Sequence, residues 1–229
     1  QRKRLRAAMA VKGGLTRHGG LSHRDAERER RRQQTRAAQD CSPIPTPEVE
    51  RPKRRAACAT DLKLFCETYF PAAFSLAWSP DHLKVIARLE RAVRSGGLFA
   101  LAMPRGSGKS TLFRTAAVWS ILYGYNRYVC LVAATQKRGE ELLDAIKTAL
   151  RFNDPLWADF KRELHAIRQL DGEPRRCRGQ TFEGDSTQIE WGAEKIVFPT
   201  IPGSLASGAV LTGCGLTGGE IRGQSHTGP

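Results

Sequence analysis

The chain has 229 residues, 37 Lys+Arg against 23 Asp+Glu, a net charge of +14 and a hydrophobic fraction of 40%. That is enough apolar residue for a packed core and too much for a wholly disordered chain. Apolar stretches stay under ten residues, which argues against a membrane-spanning helix, and no charged-then-apolar leader opens the chain. The six cysteines form no CxxC pair and no Cys/His cluster, so neither a zinc site nor a disulfide framework is expected. The charge is uneven: residues 1–56 carry a net +10 and residues 57–229 a net +4. This reads as a basic arm over residues 1–40, a Pro-rich linker over 41–56 with Pro43, Pro45, Pro47 and Pro52, and a folded domain over 57–229. The chain opens on Gln1 and closes on the polar Ser225–Pro229, which reads as a piece of a longer protein.

Along the folded part, residues 60–70 are expected as a helix presenting Leu62, Phe65 and Tyr69 on one face. Ser79-Pro80-Asp81 is a helix start, with a capping hydroxyl, Pro at the first position and an acid in the first turn. The stripe Leu83, Ile86, Leu89, Val93 follows and ends at Gly96-Gly97. Leu98–Met103 is wholly apolar, the pattern of a strand buried on both faces. A Gly-rich turn and a helix to about Tyr123 come next, then a second buried strand over Tyr128–Ala134 and a helix over Gln136–Phe152. Residues 155–170 read as helical and 171–185 as a loop. Gln188–Trp191 and Lys195–Pro199 read as short strands turning at Gly192, and Val210–Cys214 as a last strand. The order strand, helix, strand, helix predicts an α/β domain with a mostly parallel sheet flanked by helices.

The sharpest motif is Met103-Pro104-Arg105-Gly106-Ser107-Gly108-Lys109-Ser110-Thr111. It fits the P-loop pattern G-x-x-x-x-G-K-[ST] at every fixed position except the first, where Met103 replaces Gly. The residue types suit the chemistry. Gly106 and Gly108 let backbone N–H groups curl toward phosphate oxygens, and a helix starting at Lys109 aims its positive end at them. Lys109 is expected to reach the β- and γ-phosphates of ATP, and Ser110 to place its hydroxyl on Mg²⁺, with Pro104, Ser107 and Thr111 completing the binding loop. Arg105 is the unusual member: it either stabilises charge at the γ-phosphate, making it with Lys109 a candidate catalytic residue, or is a solvated turn residue. A second strand of apolar residues ending in Asp, which would hold Mg²⁺ through water, is not found in the sequence. The chain by itself is therefore expected to bind nucleotide and to hydrolyse it poorly or not at all.

Several segments together resemble the large subunit of a tailed-phage DNA-packaging terminase. They are Phe70-Pro71-Ala72-Ala73-Phe74, then Trp78-Ser79-Pro80-Asp81-His82, the variant loop from Leu101 to Thr111 with its Arg and without the first Gly, Val132-Ala133-Ala134-Thr135-Gln136, and Gly203-Ser204 through Gly219-Glu220-Ile221-Arg222-Gly223. The likeness covers residues 60–229, the N-terminal two-thirds of an ATPase domain. It implies a P-loop NTPase fold, incomplete at the C-terminus, and an ATP-driven motor that feeds double-stranded DNA into a capsid in the bacterial cytoplasm. It also implies a portal protein and a small terminase subunit as partners, a homo-oligomeric ring, and an acidic second motif and nuclease domain beyond this chain. By resemblance, Trp78 and His82 stand where the family places its adenine pocket; alternatively Trp78 packs in the core and His82 decorates a first helical turn. Gln136 either senses the γ-phosphate or caps a helix, and Arg222 is a candidate DNA or nucleotide contact. Arg175, Arg176 and Arg178 form a basic loop that either grips phosphate backbone or is simply solvated, and the Arg-rich arm suits non-specific nucleic-acid binding or, equally, a solubilising or capsid-binding role. Two other readings stand beside the motor: a different P-loop nucleic-acid motor such as a helicase, and a non-catalytic DNA-binding module with a vestigial loop.

Overall fold

Asp61 divides the first stretch of helix in two. Its carboxylate accepts from the Leu64 amide at 2.7 Å, so it caps a new helix instead of continuing the old one. In the computed structural model, which describes residues 25, 27–32 and 39–216, the elements are α1 (Pro52–Thr60), α2 (Leu62–Tyr69), α3 (Pro80–Ser95), α4 (Lys109–Leu122), β1 (Tyr128–Ala133), α5 (Gln136–Phe152), α6 (Asp154–Asp159) and α7 (Lys161–Gln169). A short 3₁₀ turn (Pro174–Cys177) follows, then β2 (Thr181–Phe182), β3 (Asp185–Ser186), β4 (Glu190–Trp191), β5 (Lys195–Val197) and β6 (Val210–Gly215). The chain divides into two units, residues 1–38 and 39–229. In the first, residues 27–32 are helical and Arg31 pairs with Glu27 at 3.1 Å; the rest of the expected basic arm to residue 38 lies outside the described residues. No helix among the described residues is long and apolar enough to cross a membrane.

The protein is mixed α/β, but its sheet differs from the expected one. The order is β1-β6-β5-β4, and only β1 with β6 is parallel; β6 with β5 and β5 with β4 are antiparallel. The cause is connection length. β4 and β5 are joined by a tight turn in which Gly192 N–H donates to Lys195 O at 2.8 Å, and a short turn can only reverse the chain. The long helical excursion from β1 to β6 permits parallel pairing. The second departure is Leu98–Met103. This run joins no strand among the described residues; Leu98 is fully exposed and Phe99 partly so. Apolar composition marks a segment that can be buried, but it does not supply the neighbours that would bury it.

The main core gathers Phe65 and Tyr69 of α2, Ile86 and Leu89 of α3, Leu112, Trp119 and Leu122 of α4, Leu143 and Ile146 of α5, Phe160, and Ile196 and Leu211 of the sheet. α4 is apolar on nearly every face and is buried accordingly, with Trp119 Nε1 donating to Cys58 O at 2.9 Å. The helix expected over residues 155–170 is two helices, α6 and α7, meeting at Phe160. The expected loop over residues 171–185 contains the 3₁₀ turn and the β2–β3 hairpin, which reverses at Glu183-Gly184 with φ of 53° and 88°.

The Pro-rich segment 41–56, expected as a linker, lies in the second unit and packs against α7. Cys41 and Ile44 are buried with Ala166, Phe182 and Ile201. Arg162 grips Glu48 through two hydrogen bonds of 2.6 and 2.7 Å, and Lys161 Nζ reaches Glu50 and the Pro47 carbonyl, both at 2.9 Å. The last part of the segment already forms α1, so the ordered structure begins earlier than residue 57.

α5 lies directly on β6. A Cβ on Gly139 would meet the backbone N and O of Cys214 at 2.7 Å, and neither atom can move aside without moving the strand. Gly139→Ala is therefore expected to lower stability by about 1–3 kcal/mol through overpacking. This outweighs the gain in helix propensity of roughly 1 kcal/mol. A thermal melt checks it; an unchanged or higher midpoint would show that α5 can lift away from the sheet.

Candidate phosphate-binding loop

Residues 104–109 form a tight loop leading into α4. Gly106 and Gly108 have φ of 79° and 75°, with no atom within 4 Å of the position of an added Cβ. These glycines are required by backbone conformation rather than by crowding. Gly108 is the N-cap of α4, so the helix begins at Lys109 as the motif predicts. The Lys109 ammonium folds across the loop and donates to Met103 O and to Pro104 O, the latter at 3.3 Å. Ser107 Oγ also donates to Pro104 O, at 2.8 Å, and closes the turn from the other side. Pro104, Arg105 and Ser110 are exposed and Thr111 half-buried. Arg105 forms no hydrogen bond or ion pair with another described residue.

Trp78 and His82 are brought together, their rings 6.0 Å apart and edge to face. Their surroundings differ. Trp78 stacks on Phe74 at 5.2 Å and its Nε1–H donates to Glu67 at 2.6 Å, so it is held by the core and by α2. The Glu67 carboxyl lies below its usual range, chiefly because Lys63 pairs with it and also because Trp78 donates to it. His82 instead reaches the loop: Nε2 lies 2.9 Å from Ser107 O and Nδ1 2.7 Å from Ser79 Oγ. Ser79 Oγ accepts the His82 amide at 3.3 Å, as the expected N-cap of α3. Between α3 and residues 100–104 lies a groove of about 330 Å³ that Ser107 also lines. Its walls include Ser79, His82, Lys84 and Arg88, but not Trp78.

The other candidates lie elsewhere. Gln136 Oε1 accepts from Gly215 N at 3.1 Å and its Nε2 donates to Glu140, which ties the start of α5 to the end of β6. The helix cap is Thr135, whose Oγ1 accepts from Arg138 N at 3.4 Å. Arg175, Arg176 and Arg178 are exposed around the 3₁₀ turn. Arg222 lies outside the described residues.

Three features of the loop are ones a phosphate group could use: Gly106 and Gly108 take left-handed backbone, the Lys109 ammonium has only carbonyls to satisfy it, and a helix begins at the loop's end. For Mg²⁺ the protein ligand on offer is the Ser110 hydroxyl, with the phosphates and water supplying the rest. The described residues hold no group of three or more His, Cys, Asp or Glu that could bind a metal.

Sequence reasoning missed two features. The His82–Ser107 link is not visible in the motif, because the loop and the helix start are separated by 25 residues. The buried carboxylate Asp159, which binds α1 and α2 to α6, sits in an unremarkable Ala-Asp-Phe stretch with no local signal. No family model, curated protein or solved structure matches this chain.

Proposed function

We propose that this chain is the nucleotide-binding part of an ATP-driven nucleic-acid motor, of the kind found in the large subunit of viral DNA-packaging terminases. The observation that carries the reading is the loop itself. Gly106 and Gly108 take left-handed backbone, α4 starts at Lys109, and the Lys109 ammonium lies across the loop mouth. ATP is the nucleotide, with Mg²⁺ held by Ser110 and the phosphates. In this reading Lys109 neutralises the β- and γ-phosphates, and Arg105, which is exposed on the loop, acts on charge developing at the γ-phosphate. The wider assignment rests on the segment likeness: a P-loop NTPase domain that needs an acidic strand from elsewhere to hydrolyse ATP, double-stranded DNA as substrate, portal and small terminase subunit as partners, a ring of copies, and the bacterial cytoplasm as its place of action. The exposed Arg175, Arg176 and Arg178 suit contact with DNA phosphates.

One observation favours a second reading. Leu98–Met103 joins no strand among the described residues, so none of the strands described leads into the loop. A DNA-binding module with a vestigial loop would have this property. Titration of the full chain with MgATP, followed by calorimetry or a fluorescent ATP analogue, separates the two. Saturable 1:1 binding competed by ADP is the expected result, and no heat or signal change at millimolar ATP would leave only the vestigial reading.

A further inference from the structure

Ser107 O is an acceptor only, so the nitrogen that meets it at 2.9 Å, His82 Nε2, carries the proton. In the neutral ring Nδ1 is then the acceptor, and the Ser79 hydroxyl, 2.7 Å away, donates to it. One hydroxyl at the start of α3 thus fixes both the tautomer and the direction of the imidazole, and the imidazole holds a carbonyl of the phosphate loop. The Ser107–Gly108 peptide is planar and trans, so fixing its C=O toward α3 fixes the Gly108 N–H in the opposite direction. Gly108 takes a φ of 75°, and an added Cβ there would meet no atom within 4 Å. On its C-terminal side Gly108 is held by the helix, its carbonyl accepting from Leu112 N at 2.9 Å, and on its N-terminal side His82 holds the Ser107 carbonyl, so the imidazole is the contact from outside the loop that bears on this peptide.

We infer that His82 is a positioning residue of the phosphate loop. It sets the Ser107–Gly108 peptide so that the Gly108 N–H and the start of α4 are presented together to the phosphates of a nucleoside triphosphate. Its role is not in recognition of the base, because its Nε2 is committed to the loop and its Nδ1 to Ser79. The inference rests on the nucleotide-binding reading for its purpose, but the loop-ordering half can be tested without nucleotide.

Two variants of the full chain decide it. His82→Phe keeps a ring against Trp78 and removes the donor, whereas His82→Gln keeps an N–H able to reach the same carbonyl. The first measurement is hydrogen exchange of a peptide covering residues 104–110 in the protein alone. Exchange is expected to rise several-fold in His82→Phe and to return close to the wild-type rate in His82→Gln, with all thermal midpoints within a few degrees. The second is affinity for a non-hydrolysable ATP analogue with Mg²⁺, and for the same analogue with inosine in place of adenosine. Loss of one hydrogen bond is expected to weaken both about 3- to 10-fold in His82→Phe, by the same factor for either base. Wild-type exchange in His82→Phe overturns the inference, as does a His82→Gln variant no better than His82→Phe. A loss confined to the adenine nucleotide overturns it in favour of base recognition. If the wild-type protein binds no nucleotide, the nucleotide reading falls while the exchange rates still decide whether His82 orders the loop.

Discussion

Lys109→Ala is expected to weaken MgATP binding by about 10- to 100-fold while shifting the thermal midpoint by no more than a few degrees. The separation of the two effects follows from what the side chain touches. Its ammonium donates only to the Met103 and Pro104 carbonyls, on a loop open to water, so its removal leaves no buried group unpaired. In the nucleotide complex the same ammonium would make charge-assisted hydrogen bonds to two phosphates. Because it gives up the two carbonyl bonds to do so, the net gain is about 1.5–3 kcal/mol, and roughly 1.4 kcal/mol is a factor of ten in affinity. Titration of both proteins with the same fluorescent analogue measures the ratio. Equal affinities would remove Lys109 from the site and with it the main support for an ATP-binding protein. A large fall in melting temperature would instead show that the lysine holds the loop together.

The largest effect on stability is expected at Asp159, far from any motif. Its carboxylate is fully buried and accepts from Arg54 Nε at 2.6 Å, Tyr69 Oη at 2.7 Å and the Arg51 amide at 3.1 Å. It therefore joins α1 and α2 to α6. Around it, Arg55 donates to Asp159 O at 3.1 Å and to Glu163 at 2.8 Å, and its guanidinium lies 4.5 Å from the centre of the Phe160 ring. The Arg54 guanidinium is held charged by the carboxylate beside it, and the Tyr69 hydroxyl is pushed well above the usual phenol range by burial, with the same carboxylate adding to the shift. Asp159→Ala strands a buried hydroxyl and a backbone N–H and leaves Arg54 without its counter-charge. Breaking a buried ion pair from one side costs about 3–5 kcal/mol, which for a domain of this size lowers the midpoint by on the order of 10 °C. Denaturant unfolding gives the number directly. Asp159→Asn, which keeps one acceptor oxygen, should fall between the two. A loss below about 1 kcal/mol in the alanine variant would show that water enters and takes over the three contacts.

The two residues differ in how far the sequence revealed them. The glycine turn that leads into α4 at Lys109 was legible because such a turn is a local object. Six consecutive residues fix the backbone, and the types that permit left-handed φ and begin a helix are the same in any context. For the same reason Ser79 was legible as the cap of α3, and α5 matched its expected span from Gln136 to Phe152, its apolar stripe bounded by Thr135 and Asn153. Asp159 was not legible, since its importance comes from α1 and α2, whose contacting residues Arg54 and Tyr69 lie 105 and 90 residues away in the chain. The Pro-rich segment 41–56 has the composition of an extended linker, and nothing local tells that Glu48 and Glu50 face Arg162 and Lys161. Its prolines fix backbone angles, whereas the ion pairs determine where that backbone lies.

By itself, then, the sequence determined the glycine-dependent loop at residues 104–109, the helix start marked by Ser79, and the apolar faces that need burying. These depend on steric limits and hydrogen bonds within a few residues. Only the tertiary structure decided which strand each β segment meets, that two of the three pairings in the four-stranded sheet are antiparallel, that Leu98–Met103 joins no described strand, and that His82 reaches Ser107 while Trp78 turns to Glu67. Those outcomes depend on distances between segments far apart in the chain, and a one-dimensional pattern of residue types carries no distances.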